Sequence, residues 1–195
     1  MCSTGNKMEL INTLKAYGAI KFGDFVLSSG KKSNYYIDIK KASTEPNVLK
    51  LIASRIGIAI RQIEQNRNTK FDRIAGIELG GVPIAVAVSL ELNLPMLIIR
   101  KAEKSHGLKD RIIGNLNPRD RVVLVEDVVT TGSSALSGVE VIKAAGGFID
   151  TVISIVDREE GASIALNEKG ISLIALIKAS ELLSEHGIKC SHVLY

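Results

Sequence analysis

Apolar residues recur along this chain at two spacings, and each change of spacing marks a new element. Over residues 6–17, Met8, Leu10, Ile11 and Leu14 fall at helical spacing and Gly18 ends the run, which predicts an amphipathic first helix. The period then drops to two. In residues 21–41, KFGDFVLSSGKKSNYYIDIKK, Ser29-Gly30 separates Phe25-Val26-Leu27 from the alternating Tyr35-Tyr36-Ile37-Asp38-Ile39, as in a hairpin. Since this segment precedes the repeating units described next, it is expected outside the main sheet. It is either a flap over the sheet's edge or an edge hairpin with solvated lysines.

From Pro46 the helical period returns, with Leu49, Ile52, Ala53, Ile56, Ile60 and Ile63 on one face and proline in the first turn, followed by a polar connection at 66–70. A strand is expected at 73–79, a tight turn at Gly80-Gly81, a helix at 83–92 and a buried strand at 95–99. Further on, the pattern gives a strand at 151–156, a helix at 162–169 stopped by Gly170, a strand at 171–177 and a short helix at 180–186. Strands alternating with helices predict an α/β fold, with a mainly parallel central sheet flanked by helices. The 195 residues can bury about 70% of their unfolded surface as a single domain. No repeat or low-complexity tract interrupts them.

One stretch combines the buried-strand pattern with chemistry: residues 122–134, VVLVEDVVTTGSS. Val122 to Val125 read as a central parallel strand buried on both faces. Glu126 and Asp127 together are expected to mark its carboxyl end, where open α/β sheets bind ligands. Thr130, Thr131, Gly132, Ser133 and Ser134 then open onto a helix carrying Leu136, Val139 and Ile142 and stopping at Gly146-Gly147, so backbone N–H groups can face an anion. Adjacent carboxylates can accept hydrogen bonds from two neighbouring ribose hydroxyls, while the loop and helix terminus hold a phosphate. The unit therefore suits a ribose 5-phosphate.

Charge adds a second region. Residues 100–121 begin RKAEKSHG and hold seven Lys or Arg against three acids, an excess that equals the formal charge of +4 on the whole chain. About twenty residues without apolar period between two strands suggest a lid or binding loop. A basic lid over a polyanion and a solvated charged loop both fit, and His106 alone would be a bystander. With four Phe, four Tyr and no Trp there is little for a base-stacking platform, which argues against nucleic-acid binding. No run approaches a membrane span and the first 18 residues lack a secretory pattern, so a cytoplasmic protein is expected. Cys2 and Cys190 have neither metal-ligand spacing nor a disulfide framework. Two features stay open on residues alone. Gly80-Gly81 either admits a diphosphate close to the backbone or simply turns, and Arg158, in DREEG after the strand at 151–156, either grips a planar carboxylate or pairs with an adjacent acid.

The 122–134 stretch resembles the phosphoribosyl pyrophosphate (PRPP) signature of the type I phosphoribosyltransferases. With LSSGKKSNYYIDIKK, RKAEKSHG and VDREEG, the chain is similar to the orotate-using branch of that family. The resemblance implies the type I phosphoribosyltransferase fold, with an N-terminal hood over about residues 1–45 and a mobile catalytic lid at 100–121. It implies transfer of ribose 5-phosphate from PRPP to N1 of orotate, with Mg²⁺ held mainly through PRPP or pyrophosphate oxygens and no dedicated metal ligands in the chain. Carried over by position, Arg100, Lys101, Lys104 and His106 contact pyrophosphate or assist its departure, with Lys101, Lys104, His106 and Asp127 catalytic. Glu126 and Asp127 bind the ribose hydroxyls. Val128, Val129, Thr130, Thr131, Gly132, Ser133 and Ser134 bind the 5-phosphate, Thr130 and Arg158 also touch the base, and Tyr36 is a further substrate-binding residue. A homodimer sharing its lids is implied, and orotidine 5′-monophosphate decarboxylase is a candidate partner. Many bacterial members carry lysines where this chain has Ser28 and Gly80. Rival readings are a phosphoribosyltransferase for another base and a PRPP-sensing regulator that binds nucleic acid.

Overall fold

The computed structural model describes residues 4–26, 32–101 and 111–184. The first helix, α1 (Thr4–Ala16), buries Leu10, Ile11 and Leu14, while Met8 lies at the surface. Strands β1 (Ile20–Val26) and β2 (Lys32–Ile37) pair antiparallel in a two-stranded sheet of their own. The predicted hairpin is therefore present and separate from the main sheet, although its turn and Ser28 lie outside the described residues. The alternation expected through Ile39 stops at Ile37. Asp38 instead caps a single helical turn, α2 (Ile39–Ala42), and accepts a 3.4 Å hydrogen bond from the Lys41 amide. Helical spacing buries Ile39 and Ala42 completely on one face, and a short acid at the N-cap favours that turn.

Helix α3 (Pro46–Arg67) runs beyond the expected end at residue 63, because Gln65, Asn66 and Arg67 form the polar face of its last turn and not a loop. Asn68, at φ 49, ends it, and buried Glu64 accepts hydrogen bonds from the Phe71 amide at 2.9 Å and Lys70 Nζ at 3.1 Å. The remaining elements are β3 (Arg73–Ile77), α4 (Gly81–Leu92), β4 (Met96–Ile99), β5 (Ile112–Ile113), β6 (Arg121–Val129), α5 (Ser133–Ala144), β7 (Phe148–Asp157), α6 (Ala162–Asn167), β8 (Ser172–Lys178) and α7 (Ala179–Ser184).

Six strands form one sheet in the order β5-β4-β3-β6-β7-β8, parallel except for β5, which runs antiparallel on the edge of β4. The mainly parallel α/β prediction is met. The unstructured reading of 100–121 needs correction at β5, a two-residue strand too short to leave a period. Strand β3 ends at Ile77, two residues earlier than expected. Strand β6 continues through Glu126 and Asp127 to Val129, because its ladder with β7 holds as far as Val129 and Asp157. The acid pair thus belongs to the last third of the strand.

Helices α1 to α4 pack on one face of the sheet with Val123, Val125, Ile153 and Ile155, whereas α5 and Leu166 of α6 pack on the other with Val122, Leu124 and Val152. From β3 the chain moves through α4 to β4 on one side, and from β6 through α5 to β7 on the other. The strand order reverses between β3 and β6. In open α/β sheets the crevice beyond the carboxyl ends at such a reversal is the place for a ligand.

Candidate active site

The acid pair stands at this reversal. Both residues are largely buried, Glu126 at 5% exposure and Asp127 at 8%. Asp127 Oδ2 lies 3.2 Å from Lys40 Nζ of α2. On its other side the carboxylate rests against Gly80, where an added Cβ would sit 2.2 Å from Oδ2, and a Cβ at Gly81 would sit 2.8 Å from the Val125 carbonyl. Gly80 has an ordinary helical φ of −67, so the position needs a missing side chain and not conformational freedom. Burial, then the charge of Asp127, pushes Glu126 up to about 8, against the opposing pull of Lys101 and Lys40. At neutral pH the Glu126 carboxyl therefore holds its proton.

Beyond Val129 the chain enters the hydroxyl-rich loop. Thr130, Thr131, Ser133 and Ser134 are exposed, Thr131 Oγ1 and Ser133 Oγ lie 3.2 Å apart, and Gly132 at φ 82 is the N-cap of α5. No side chain caps this twelve-residue helix, so its first N–H groups are available to an anion. Gly132 also allows α6 to approach, since a Cβ there would meet Ala162 Cα at 3.2 Å. Val128 and Val129 are packing residues whose side chains are half-buried and buried. The Val129 carbonyl accepts the Arg158 amide at 3.0 Å.

Arg158 leaves β7 at the same edge. Its guanidinium carbon lies 5.0 Å from the centre of the Tyr35 ring, and its Nε lies 2.8 Å from Glu160 Oε1. The buried Nε–H is not aimed at that oxygen, so the contact is an ion pair and the N–H keeps no acceptor. The adjacent-acid pairing raised by the sequence is thus present, together with an aromatic seat. Tyr36, one residue on in the strand, is 41% exposed and its ring packs 5.6 Å from Phe25. At the end of β4, Arg100 and Arg111 are joined to each other. The Arg100 amide donates to the Arg111 carbonyl at 2.9 Å, while Arg111 donates from Nε to the Arg100 carbonyl at 2.7 Å and from Nη1 to Ser137 Oγ at 3.1 Å. The Lys101 amide donates to Glu78 Oε1 at 2.5 Å. Lys104 and His106 lie outside the described residues.

The structure therefore gathers Glu126, Asp127, the 130–134 loop, Arg158 and the Arg100-Lys101 end of β4 at one edge of the sheet. Sequence reasoning missed Lys40, Glu78, Arg111 and Tyr35. The only trace of Lys40 was Asp38 as an N-cap before a lysine-containing turn, in a helix too short to show a period.

Comparison with known proteins agrees with this geometry. Residues 46–169 match the family described as the phosphoribosyl transferase domain, and the chain belongs to that family. Its relatives within it include orotate phosphoribosyltransferases. The enzyme of that name from Methanosarcina mazei is 51% identical over 185 residues, covering 92% of this chain and 96% of the relative. The crystal structure of orotate phosphoribosyltransferase from Aeropyrum pernix superposes with a TM-score of 0.76 at 30% identity, covering 91% of this chain and 99% of that one. Leishmania donovani UMP synthase superposes with a TM-score of 0.77 at 34% identity, over 91% of this chain but only 37% of that longer one.

Proposed function

We propose that the protein transfers ribose 5-phosphate from PRPP to N1 of orotate, giving orotidine 5′-monophosphate and pyrophosphate. The observation that carries this reading is one β6–α5 unit presenting two carboxyls and, a few residues on, an uncapped helix N-terminus, both at the strand-order reversal. Glu126 and Asp127 take the ribose hydroxyls. The N–H groups and hydroxyls from Val128 to Ser134 take the 5-phosphate. Arg100, Lys101, Lys104 and His106 take the pyrophosphate, and Arg158, with Thr130 and Tyr36, takes the base. The acceptor-free Nε–H of Arg158 suits a carboxylate such as that of orotate.

As the bond from C1′ to pyrophosphate breaks, positive charge develops on the ribose ring and the leaving group takes the electron pair, as in glycoside cleavage. Orotate N1 forms the new bond at C1′ from the opposite face and its proton is released. Asp127 faces the developing ring charge, while the lid cations stabilise the departing anion. Among the described residues no group of three or more His, Cys, Asp or Glu could hold a metal ion. This donor set fits Mg²⁺ arriving on diphosphate oxygens, where it would supply further neutralisation of the leaving group.

A homodimer sharing its lids is part of the same reading. On α4, Val86 and Leu90 lie one turn apart at 42% and 79% exposure, an apolar surface suited to a second copy of the chain. No helix among the described residues is long and apolar enough to cross a membrane, and we place the reaction in the cytoplasm. Orotidine 5′-monophosphate decarboxylase would consume the product. The test is loss of orotate absorbance on adding PRPP and Mg²⁺, with adenine, hypoxanthine and uracil assayed beside it. Turnover of another base and not of orotate would refute the assignment.

A further inference from the structure

The side chain of Asp127 is fixed in position from two sides. Gly80 supplies an absence on one side, since its missing Cβ is the space the carboxylate occupies. Lys40 supplies a charge on the other, 3.2 Å away. That lysine is itself held by its backbone. Ile39 and Ala42 sink fully into the core, the Lys40 carbonyl accepts Ser43 Oγ at 2.9 Å, and Asp38 caps the turn, so Lys40 has to project from the opposite face of α2. Its side chain is 57% exposed while that of Asp127 is 12% exposed. The ammonium therefore reaches in from the open side of the crevice, the side from which a ligand enters.

An ion pair so open to water is worth little to folding, generally about 0–1 kcal/mol. Its effect on where the carboxylate points is larger, because the ammonium and the Gly80 backbone hold Asp127 from opposite sides. The groups facing the ammonium are Asp127 and Glu126 from β6, with Asp38 and Tyr36 from the chain just before α2. Lys101 is the other cation acting on Glu126. We propose that Lys40 is a positioning residue for the transfer reaction, holding the Asp127 side chain against Gly80 and aimed at the ribose hydroxyls. Burial draws the Lys40 ammonium down, but Asp127, through charge and hydrogen bond, and then Asp38 and Tyr36 leave it raised above its ordinary value. The lysine is accordingly charged throughout the working pH range.

The inference rests on the reading that the acid pair meets a ribose, and binding of ribose 5-phosphate without any base separates the two. Calorimetric titration at pH 7, with thermal unfolding in parallel, compares wild type, Lys40→Met and Lys40→Arg. Lys40→Met is expected to weaken ribose 5-phosphate by about tenfold, the cost of losing a charged hydrogen bond. The unfolding temperature should stay at the wild-type value, and Lys40→Arg should keep most of the affinity. Lys40→Met binding within twofold of wild type would overturn the inference. So would an equal loss in Lys40→Arg, or a Lys40→Met protein without cooperative unfolding, which would make the residue structural. Failure of wild type itself to bind ribose 5-phosphate would instead defeat the ribose reading.

Discussion

Replacing Gly80 with alanine tests the geometry of the site with a single methyl group. That carbon would stand 2.2 Å from Asp127 Oδ2, 2.4 Å from Cγ and 2.7 Å from Oδ1. Packed carbon and oxygen atoms do not approach this closely, so the carboxylate has to move by about 1 Å. The displacement breaks the 3.2 Å contact with Lys40 and turns the acid away from its place beside Glu126. Overpacking of this kind costs about 1–3 kcal/mol of stability. A misplacement of about 1 Å at a reacting group lowers rate by about 10²-fold. The expected result for Gly80→Ala is therefore kcat/KM for PRPP down about 10²-fold, read from orotate absorbance at saturating orotate, in a protein that still unfolds cooperatively. Gly170→Ala is the control. Gly170 sits at φ +71 with nothing within 4 Å, so alanine there should cost about 1 kcal/mol in stability and nothing in kcat/KM. If Gly80→Ala kept kcat/KM within twofold of wild type, the placement of Asp127 against Gly80 would have no part in catalysis.

Other perturbations follow from the same structure. The folded-state pKa of Glu126, about 8, lies above the ordinary 4.5, so between those values the folded protein binds a proton that the unfolded chain releases. Stability is thus lost as pH rises through this window, by up to about 1.4 kcal/mol per pH unit from this group. Urea denaturation at pH 6 and pH 9 should show that loss in wild type and a smaller one in Glu126→Gln; parallel losses would place the proton elsewhere. Arg111→Met removes two hydrogen bonds from a residue 6% exposed and should cost about 2–3 kcal/mol by denaturant midpoint, whereas a change under 0.5 kcal/mol, the scale of an ordinary surface substitution, would mean these contacts are idle. Lys101→Ala should lower kcat by about 10²-fold with little change in orotate KM, since its charge acts on the leaving group. An unchanged kcat would remove Lys101 from the reaction.

How much of this could be read beforehand depended on the length of each pattern. The buried strand over Val122 to Val125 and the helix after Gly132 are long and strongly periodic, and both stand where the sequence placed them. Short elements behaved differently. Strand β5 has two residues and α2 has four, so neither leaves a period, and the lysine that reaches Asp127 sits on α2. Boundaries shifted where polar residues continue an element on its solvent side, as at Gln65 and Asn66 in α3, or where a ladder persists beneath charged side chains, as at Glu126 and Asp127 in β6. Two neighbouring tyrosines in a strand face opposite ways, and sequence alone did not say which one meets Arg158. Tyr35 does, and Tyr36 packs on Phe25. Gly80-Gly81 was legible as a turn, but its need for space became visible only once Asp127 from a strand about 45 residues away was placed against it.

The most direct measurement is calorimetric titration of PRPP with Mg²⁺ into wild type and into the double variant Glu126→Ala, Asp127→Ala, with circular dichroism to show that both are folded. Two carboxyl contacts to the ribose are removed together, so affinity should fall by at least about 10²-fold. Equal affinity in the two folded proteins would contradict the assignment of the acid pair to the sugar.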